Sequence, residues 1–304
     1  MDVRVGIVSW ETAALLNRCL EALPAALGSL AAEVVVVDNA SSDESVRVAR
    51  ARGATVVANS YNVGFGRAMN VALAGASAPF LIALNPDTEP RPHSLERLVQ
   101  RLRDEPRLGL VAPKLLNVDG SVQPSVHRFP SIKLAVVMGL VPYALRRGAV
   151  GRHFWLDGFA DYGRRQLIDW AKGAVHVIRR SALADPDHAY SERTFIYGED
   201  RELCWELHRA GWDISFEPEW EVVHVGGAAA QRAFGDAIYA RKLAVDYDWY
   251  RSKRGATQAK LWAAANMLGL GSKLAVARAA WPEDDPRLRR NRQLLRLHAR
   301  QLAR

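Results

Sequence analysis

The sequence predicts an α/β protein: a mostly parallel sheet flanked by helices, followed by a helical extension. Three observations carry that expectation. Short apolar runs recur through the first third, at Val3–Val8, Glu33–Val37, Ala54–Ala58, Phe80–Leu84 and Leu108–Ala112, the first of them β-branched and the second four consecutive valines. These runs lack apolar–polar alternation, so each strand is expected to be covered on both faces. Helical segments separate them, and from about Phe234 onward the pattern is helical throughout.

Each element has a local reason. Val3–Val8 opens as a strand, and Thr12 then caps a helix with Leu15, Leu16, Cys19, Leu20 and Leu23 on one face. Four consecutive valines, Val34–Val37, make a second strand that runs into Asp38-Asn39-Ala40-Ser41-Ser42-Asp43, a turn-and-cap cluster opening a helix to about Arg52. Ala54–Ala58 is a third strand, Asn59–Gly66 a loop and Arg67–Ala74 a helix. The strand Phe80–Leu84 stops at Asn85-Pro86-Asp87, a helix follows over Ser94–Asp104, and Leu108–Ala112 is a fifth strand. Asn117-Val118-Asp119-Gly120 signals a hairpin turn. Phe129–Gly163, rich in Gly, Pro and aromatics, reads as loop plus helix over a site. Leu167–Ile178 reads as one strand, Glu199–Ala210 as a helix, and Trp212–Val225 as two short strands around Pro218. Pro282 and Pro286 interrupt the terminal helices.

Composition excludes several classes. At 304 residues, 49% hydrophobic and 24% charged, the chain has a folded protein's balance. No apolar run reaches the roughly 18–20 residues of a spanning helix. Met1–Val8 reads as a strand and lacks the pattern of a signal peptide. Two cysteines, Cys19 and Cys204, make neither a disulfide framework nor a zinc site by themselves, and a reducing, cytoplasmic location is the default expectation. The net charge of +8 is uneven: residues 236–304 hold 15 basic and 6 acidic residues, so the tail carries +9 and the rest −1. Such a tail suits an anionic partner, lipid headgroups or nucleic acid, or else is a solvated Arg-rich helix.

In an open parallel sheet, ligands bind at the carboxyl ends of the strands. Here those ends carry Ser9-Trp10, Asp38-Asn39, Asn62-Val63-Gly64 and Asn85-Pro86-Asp87. Helix capping explains Ser41, Ser42 and Thr12, but Asp38 and Asp87 precede their helices by several residues. Gly64-Phe65-Gly66 is a poor dinucleotide fingerprint: it follows the wrong strand, and Asn70 stands near where a third glycine belongs. Asp87 after a buried strand suits a divalent cation held against a diphosphate. Glu199 and Asp200, after Tyr197-Gly198, suit either a helix dipole or a general base. His224 is either a satisfied strand residue or a metal ligand.

Together, and in this order, these residues resemble a family 2 glycosyltransferase with the GT-A fold, over about residues 3–230. The carriers are the strand ending at Ser9, Val36–Asp43, Asn62–Asn70, Asn85-Pro86-Asp87, Gly173-Ala174 with Arg179-Arg180, Phe195–Asp200 and His224. The segments Gly120–Ser125 and Phe129-Pro130-Ser131, with the basic tail, are similar to bacterial rhamnosyltransferases that use dTDP-rhamnose and a polyprenyl-diphosphate-linked GlcNAc acceptor.

The resemblance implies a catalytic domain over 1–233, with a nucleotide-binding half (1–112) and an acceptor-binding half (113–233), and a basic helical region over 234–304. It implies an inverting transferase requiring Mn2+ or Mg2+, with no nucleic acid partner; the alternatives are a UDP-sugar donor with an O-antigen or exopolysaccharide acceptor on the same fold and, of another class, a basic nucleic-acid-binding protein. Asp200 is implied as general base, with Glu199 orienting it or binding acceptor. Ser9, Asp38, Asn62, Gly64 and Asn85 are implied to line the nucleotide pocket, with a helix-opening turn as the alternative for Asn62 and Gly64. Asp87 matches the last acid of the family's metal motif, Asn85 replaces the first, and His224 is implied as a second ligand. Arg128, Lys172 and Arg179 are candidates for diphosphate contacts, and Trp170 stacks on a sugar or fills core. The lipid-linked acceptor implies a peripheral site on the inner face of the cell membrane. Leu261, Trp262, Met267, Leu268, Leu270 and Trp281 are expected at that interface, with packing on the catalytic domain or a homodimer contact as the alternative, and Leu134–Leu145 as another place for membrane contact.

Overall fold

The structure is a computed structural model and describes residues 1–141, 160–226, 238–280, 282 and 285–302. The chain divides into two compact units. One comprises Met1–His127 and Asp161–Ala233, the other Arg128–Ala160 and Phe234–Arg304. The boundary read from sequence fell at residue 233; the structure also assigns 128–160 to the second unit.

In chain order the elements are β1 (Val3–Ser9), α1 (Ala13–Leu27), β2 (Ala32–Asp38), α2 (Ser45–Ala51), β3 (Thr55–Ala58), α3 (Phe65–Leu73), β4 (Phe80–Leu84), β5 (Thr88–Pro90), α4 (Ser94–Asp104), β6 (Leu108–Leu116) and β7 (Val126–His127). Then come α5 (Ile132–Leu140), β8 (Gln166–Leu167), β9 (Trp170–Ala171), β10 (Val175–Arg179), α6 (Glu199–Arg209), β11 (Asp213–His224), α7 (Ile238–Arg254), α8 (Ala256–Ala280) and α9 (Pro286–Leu302).

In the first unit one sheet has the order β3-β2-β1-β4-β10-β6-β11-β5, with β8 paired to β11. The left half, β3 to β4, is parallel. On one side of it Val3, Val5 and Ile7 pack with Leu16, Leu20 and Leu23 of α1 and Leu95, Leu98 and Leu102 of α4. Each such leucine contributes about 1.5–3 kcal/mol by leaving water. The helical spacing of Leu16, Leu20 and Leu23, read from sequence, is the buried face of α1.

Four local expectations are corrected, and one strand direction is added. β3 lies at the sheet edge, so Val57 is exposed and the strand is not covered on both faces. The side chain of Thr12 does not cap α1: its hydroxyl lies 2.9 Å from Ser9 Oγ, and the first-turn N–H of Ala13 donates to Asp43 Oδ2 at 2.8 Å. β10 runs antiparallel between β4 and β6. Leu167–Ile178 is three strands, because β8 pairs with β11, β9 with β7, and β10 with the main sheet. Trp212–Val225 contains one strand, β11, which survives Pro218 through a bulge: Glu217 pairs with Pro113 and Glu221 with the next residue, Lys114. Proline lacks the ladder N–H, so the chain loops out there and rejoins.

The second unit contains α5 and the three terminal helices. Tyr250 stacks on Trp262 with ring centroids 4.9 Å apart, Tyr247 lies 4.7 Å from the same indole, and Phe129 stacks on Trp249. Helices α5 and α8 meet at Gly139 and Gly269, where a Cβ on Gly139 would fall 2.6 Å from the Gly269 Cα. Trp262 is therefore a core residue at 8% exposure, which corrects its expected interfacial place. Leu261 and Leu268 are exposed on α8, and Met267 and Leu270 are half-buried. Trp281 lies outside the described residues, as do residues 142–145 of the other apolar segment and 142–159 of the expected loop-plus-helix region. Among the described residues no helix is long and apolar enough to cross a membrane.

Candidate active site

The carboxyl ends of β1, β2 and β4 form one rim of the first unit, and β10 closes it. β10 begins where β4 ends: Val175 pairs with Leu84, and Asn85 N–H donates to Ala174 O at 2.9 Å. One residue earlier, Gly173 N–H donates to Asp200 Oδ2 at 3.2 Å. These two bonds bring the Asn85-Pro86-Asp87 turn and Asp200, more than a hundred residues apart in sequence, to the same edge.

On the β1–β2 side, Ser9 and Asp38 are register partners and both are buried. Asp38 accepts from Ser41 N–H at 2.9 Å and Ser41 Oγ at 2.6 Å, so it also builds the turn that precedes α2. Asn39 ties this turn to the next loop, donating to Gly64 O at 3.2 Å and accepting from Asn59 Nδ2 at 2.8 Å. Asn62 Oδ1 accepts from Gly64 N–H at 3.0 Å, which is the helix-opening turn named as its alternative role.

Gly64 has φ +89, and a Cβ there would fall 2.6 Å from Phe195 O. A Cβ on Gly66 would fall 2.2 Å from Ser191 O. The two glycines thus let the start of α3 lie directly on the 190–195 segment, with Phe65 N–H donating to Phe195 O at 2.9 Å. Asn70 completes the contact: its Nδ2 donates to Tyr190 O and its Oδ1 accepts from Tyr190 N–H, both at 2.8 Å. The motif that resembles a broken dinucleotide fingerprint is therefore a clamp on the segment leading to Asp200. Asn70, Tyr190 and His176 were missing from the sequence-derived site. Asn70 offered a signal, its place in the motif; a lone buried tyrosine and histidine offered none.

Asp200 sits in the first turn of α6, after Tyr197 (φ +76) and Gly198 (φ +88). A non-glycine residue in the left-handed region stores about 1–2 kcal/mol of strain, and such strain gathers at functional sites. Asp200 answers more than its helix dipole, because one oxygen leaves the helix to reach Gly173; the other accepts from Arg201 N–H at 2.7 Å. Its neighbour Glu199 is buried, and its Oε2 has no hydrogen-bond partner among the described residues. Burial first, then the nearby Asp200 charge, push its carboxyl up to about 8, so it holds its proton at neutral pH. Beside them His176 is fully buried between Tyr190 OH, 3.0 Å from its Nδ1, and Ala171 O, 3.1 Å from its Nε2. Burial lowers its pKa and keeps it neutral, against the opposing pull of Asp200.

Asp87 meets His224 because β5 pairs antiparallel with the end of β11, setting Thr88 opposite His224. Asp87 Oδ1 lies 3.4 Å from His224 Nε2, and Asp87 Oδ2 accepts from Gly226 N–H at 3.1 Å. Burial alone would raise this carboxyl; the hydrogen bond and charge of His224, with backbone N–H groups, outweigh it and hold Asp87 below the usual range. Nearby, Asn85 Oδ1 is buried with no hydrogen-bond partner among the described residues. A carboxylate, an imidazole nitrogen and an orphaned amide oxygen suit a divalent cation of the Mg2+ or Mn2+ kind that brings further oxygen ligands. Among the described residues no group of three or more His, Cys, Asp or Glu is placed to hold a metal ion.

The remaining candidates separate. Arg179 lies at the far end of β10, opposite Phe80 at the start of β4, ~13 Å of strand from Val175. Its guanidinium donates to Leu108 O at 2.8 Å and to Leu102 O and Glu105 O, stapling β10 to α4; a diphosphate contact is excluded for it. Lys172 Nζ donates to Pro124 O. Trp170 stacks on His127 with centroids 4.2 Å apart, and Arg201 lies 6.0 Å from its ring, a packing role. Arg128 belongs to the second unit.

The sheet, switching from parallel strands to the antiparallel β10, has the GT-A architecture. A mannosyltransferase from Pyrobaculum calidifontis, in complex with GDP-Man and Mn2+, superposes with a TM-score of 0.57 at 16% identity, over 99% of this chain and 85% of that one. S. aureus TarS 1–349 in complex with UDP-GlcNAc gives 0.52 at 15% identity, over 100% and 91%. Such identities speak to fold alone. The sequence profile described as Glycosyl transferase family 2 matches residues 5–149, and the chain belongs to that family. N-acetylglucosaminyl-diphospho-decaprenol L-rhamnosyltransferase of Mycobacterium tuberculosis is 31% identical over 214 residues, which span 63% of this chain and 66% of that protein. Pre-mycofactocin glycosyltransferase of the same organism is 28% identical over 169 residues, 56% of this chain and 32% of that one.

Proposed function

We propose that this protein is an inverting, metal-dependent glycosyltransferase that moves L-rhamnose from dTDP-rhamnose to a polyprenyl-diphosphate-linked GlcNAc in cell-wall or polysaccharide assembly. The observation that carries the reading is the pair of bonds from Asn85 to Ala174 and from Gly173 to Asp200, which set a carboxylate base beside the Asp87 turn. The named activity of the 31% identical mycobacterial relative supports the choice of sugar and acceptor.

In this mechanism Ser9, Asp38, Asn62, Gly64 and Asn85 line the nucleotide pocket. Asp87 and His224 would hold the cation, and the orphaned amide oxygen of Asn85 belongs to the same turn. A bound cation would supply neutralisation of the charge on the leaving diphosphate. Asp200 takes the proton from the acceptor hydroxyl as its oxygen attacks the anomeric carbon from the face opposite the nucleotide. Gly173 N–H fixes the orientation of Asp200 for that transfer. Neutral Glu199 keeps a second negative charge away from the base and has a proton to donate to an acceptor oxygen. Because a polyprenyl chain stays in the bilayer, the site works at a membrane surface, and the tail's +9 charge with exposed Leu261 and Leu268 supports contact with anionic headgroups.

The test is a donor panel of dTDP-rhamnose, UDP-GlcNAc and GDP-Man with a lipid-linked GlcNAc acceptor, with and without Mn2+. Transfer from dTDP-rhamnose is expected, lost in Asp87→Ala and reduced about 10²–10⁴-fold in Asp200→Asn with donor binding intact. Transfer from UDP-GlcNAc instead would retain the mechanism and replace the sugar; Asp200→Asn turning over like wild type would remove Asp200 from the chemistry.

A further inference from the structure

The Asp87–His224 pair is backed by a side chain that the mechanism has not used. Gln123, just after the Asn117–Gly120 turn, is half-buried, and its Oε1 lies 2.7 Å from His224 Nδ1. Its Nε2 donates to Asn117 Oδ1 at 2.9 Å and to His224 O at 3.2 Å. The amide orientation follows, since its nitrogen faces two oxygen acceptors and only its oxygen is left for the imidazole. Nδ1 of His224 is therefore the N–H donor, and Nε2 is the nitrogen turned toward Asp87, 3.4 Å away. The holder is itself held: Asn117 Nδ2 donates to Ser121 Oγ at 2.9 Å, and Gln123 N–H donates to Leu115 O at 2.8 Å.

We propose that Gln123 is a positioning residue for the metal. Its bond to Nδ1–H keeps that proton in place and fixes the ring plane of His224, so that Nε2, which shares a hydrogen bond with Asp87 here, is the nitrogen a cation would take beside the Asp87 carboxylate. Gln123 grips His224 at two points, ring and carbonyl, which places the imidazole before any cation arrives. This matters more here than in a site with two motif acids. With Asn85 where the first acid stands, a larger share of the protein's hold falls on His224. Loss of such an outer hydrogen bond weakens metal binding about 10–100-fold. The inference rests on the metal reading above, and its test separates the two.

The experiment titrates the full-length protein with Mn2+, following free Mn2+ by electron paramagnetic resonance, alone and with dTDP or UDP present. Pulsed measurements on the bound ion report 14N modulation from a coordinated imidazole. Gln123→Leu, which keeps size and removes the acceptor, should bind Mn2+ at least about 10-fold more weakly and lose the modulation. Gln123→Asn, one methylene too short, should behave the same way. Gln123→Glu keeps the acceptor for Nδ1–H but turns a carboxylate oxygen toward Asn117 Oδ1 and His224 O, so it should recover the modulation and part of the affinity, with circular dichroism confirming the fold of each variant. The proposal is overturned if Gln123→Leu and Gln123→Asn match wild type in both readouts, or if Gln123→Glu restores neither. Should Asp87→Ala lose Mn2+ while the Gln123 variants keep it, positioning alone fails. If wild type takes up no Mn2+, or Asp87→Ala binds equally well, the metal reading falls and this inference with it.

Discussion

Replacing Asn70 by alanine tests whether the glycine-rich motif holds the catalytic segment. Asn70 is 4% exposed and Tyr190 1%, so water cannot take over the two hydrogen bonds between them. The substitution strands Tyr190 N–H and Tyr190 O and removes the bond from Asn70 Nδ2 to Glu192 Oε1 at 3.0 Å. Leaving one buried polar group unpaired costs about 1–3 kcal/mol, so two cost about 2–6, less whatever the segment recovers by shifting. A net loss of about 3 kcal/mol should lower the thermal midpoint by ~6–12 °C for a unit of this size. Asn70→Asp should lose as much: it keeps an acceptor for Tyr190 N–H but points a second carboxylate oxygen at Tyr190 O and Glu192. Because the segment runs on to Asp200, kcat should fall in both variants while donor KM stays near wild type. Urea unfolding and steady-state transfer measure the two effects. A stability change within about 0.5 kcal/mol of zero for Asn70→Ala would refute the clamp.

Further consequences follow from buried titratable groups and from the exposed face of α8. Glu199, raised in the folded state from an ordinary value of 4.5 to about 8, binds its proton more tightly folded than unfolded. Stability should therefore fall as pH rises from about 4.5 to about 8; Glu199→Gln should flatten that slope in denaturation curves and be the more stable protein at pH 8. His298, whose Nδ1 lies 2.6 Å from Tyr247 OH, is lowered by burial from 6.5 to about 4. The opposite sign applies: the helical unit should lose stability as pH falls from about 6.5 toward 4, seen in Trp262 fluorescence, and His298→Asn should remove that dependence. In flotation with anionic vesicles at low salt, the double variant Leu261→Asp and Leu268→Asp should stay at the bottom while wild type floats; equal flotation would move the membrane contact elsewhere.

The parallel half of the sheet and the polar ends of its strands were legible in the residues alone. A β-branched run marked β1 and four consecutive valines marked β2, leucines at helical spacing marked the buried face of α1, and polar residues ending those strands marked the rim, because each signal depends on neighbours within a few residues. The rest came from long-range packing. β10 is buried on both faces, so Val175–Ile178 reads the same whether it pairs parallel or antiparallel, and only its partners fix its direction. Trp262 reads as an interfacial aromatic until Tyr250 and Tyr247 cover it. Arg179 and Lys172 carry equal charge at similar remove from the motifs, yet Arg179 turns away because it stands at the other end of a five-residue strand. The hold of Gln123 on His224 and of Asn70 on Tyr190 each join residues about a hundred or more positions apart. A hydrogen bond leaves no trace in sequence unless its partners fall in one helix turn or one loop; the fold makes them neighbours by pairing β6 with β11, Leu116 opposite Val223, and by laying α3 on the segment before α6.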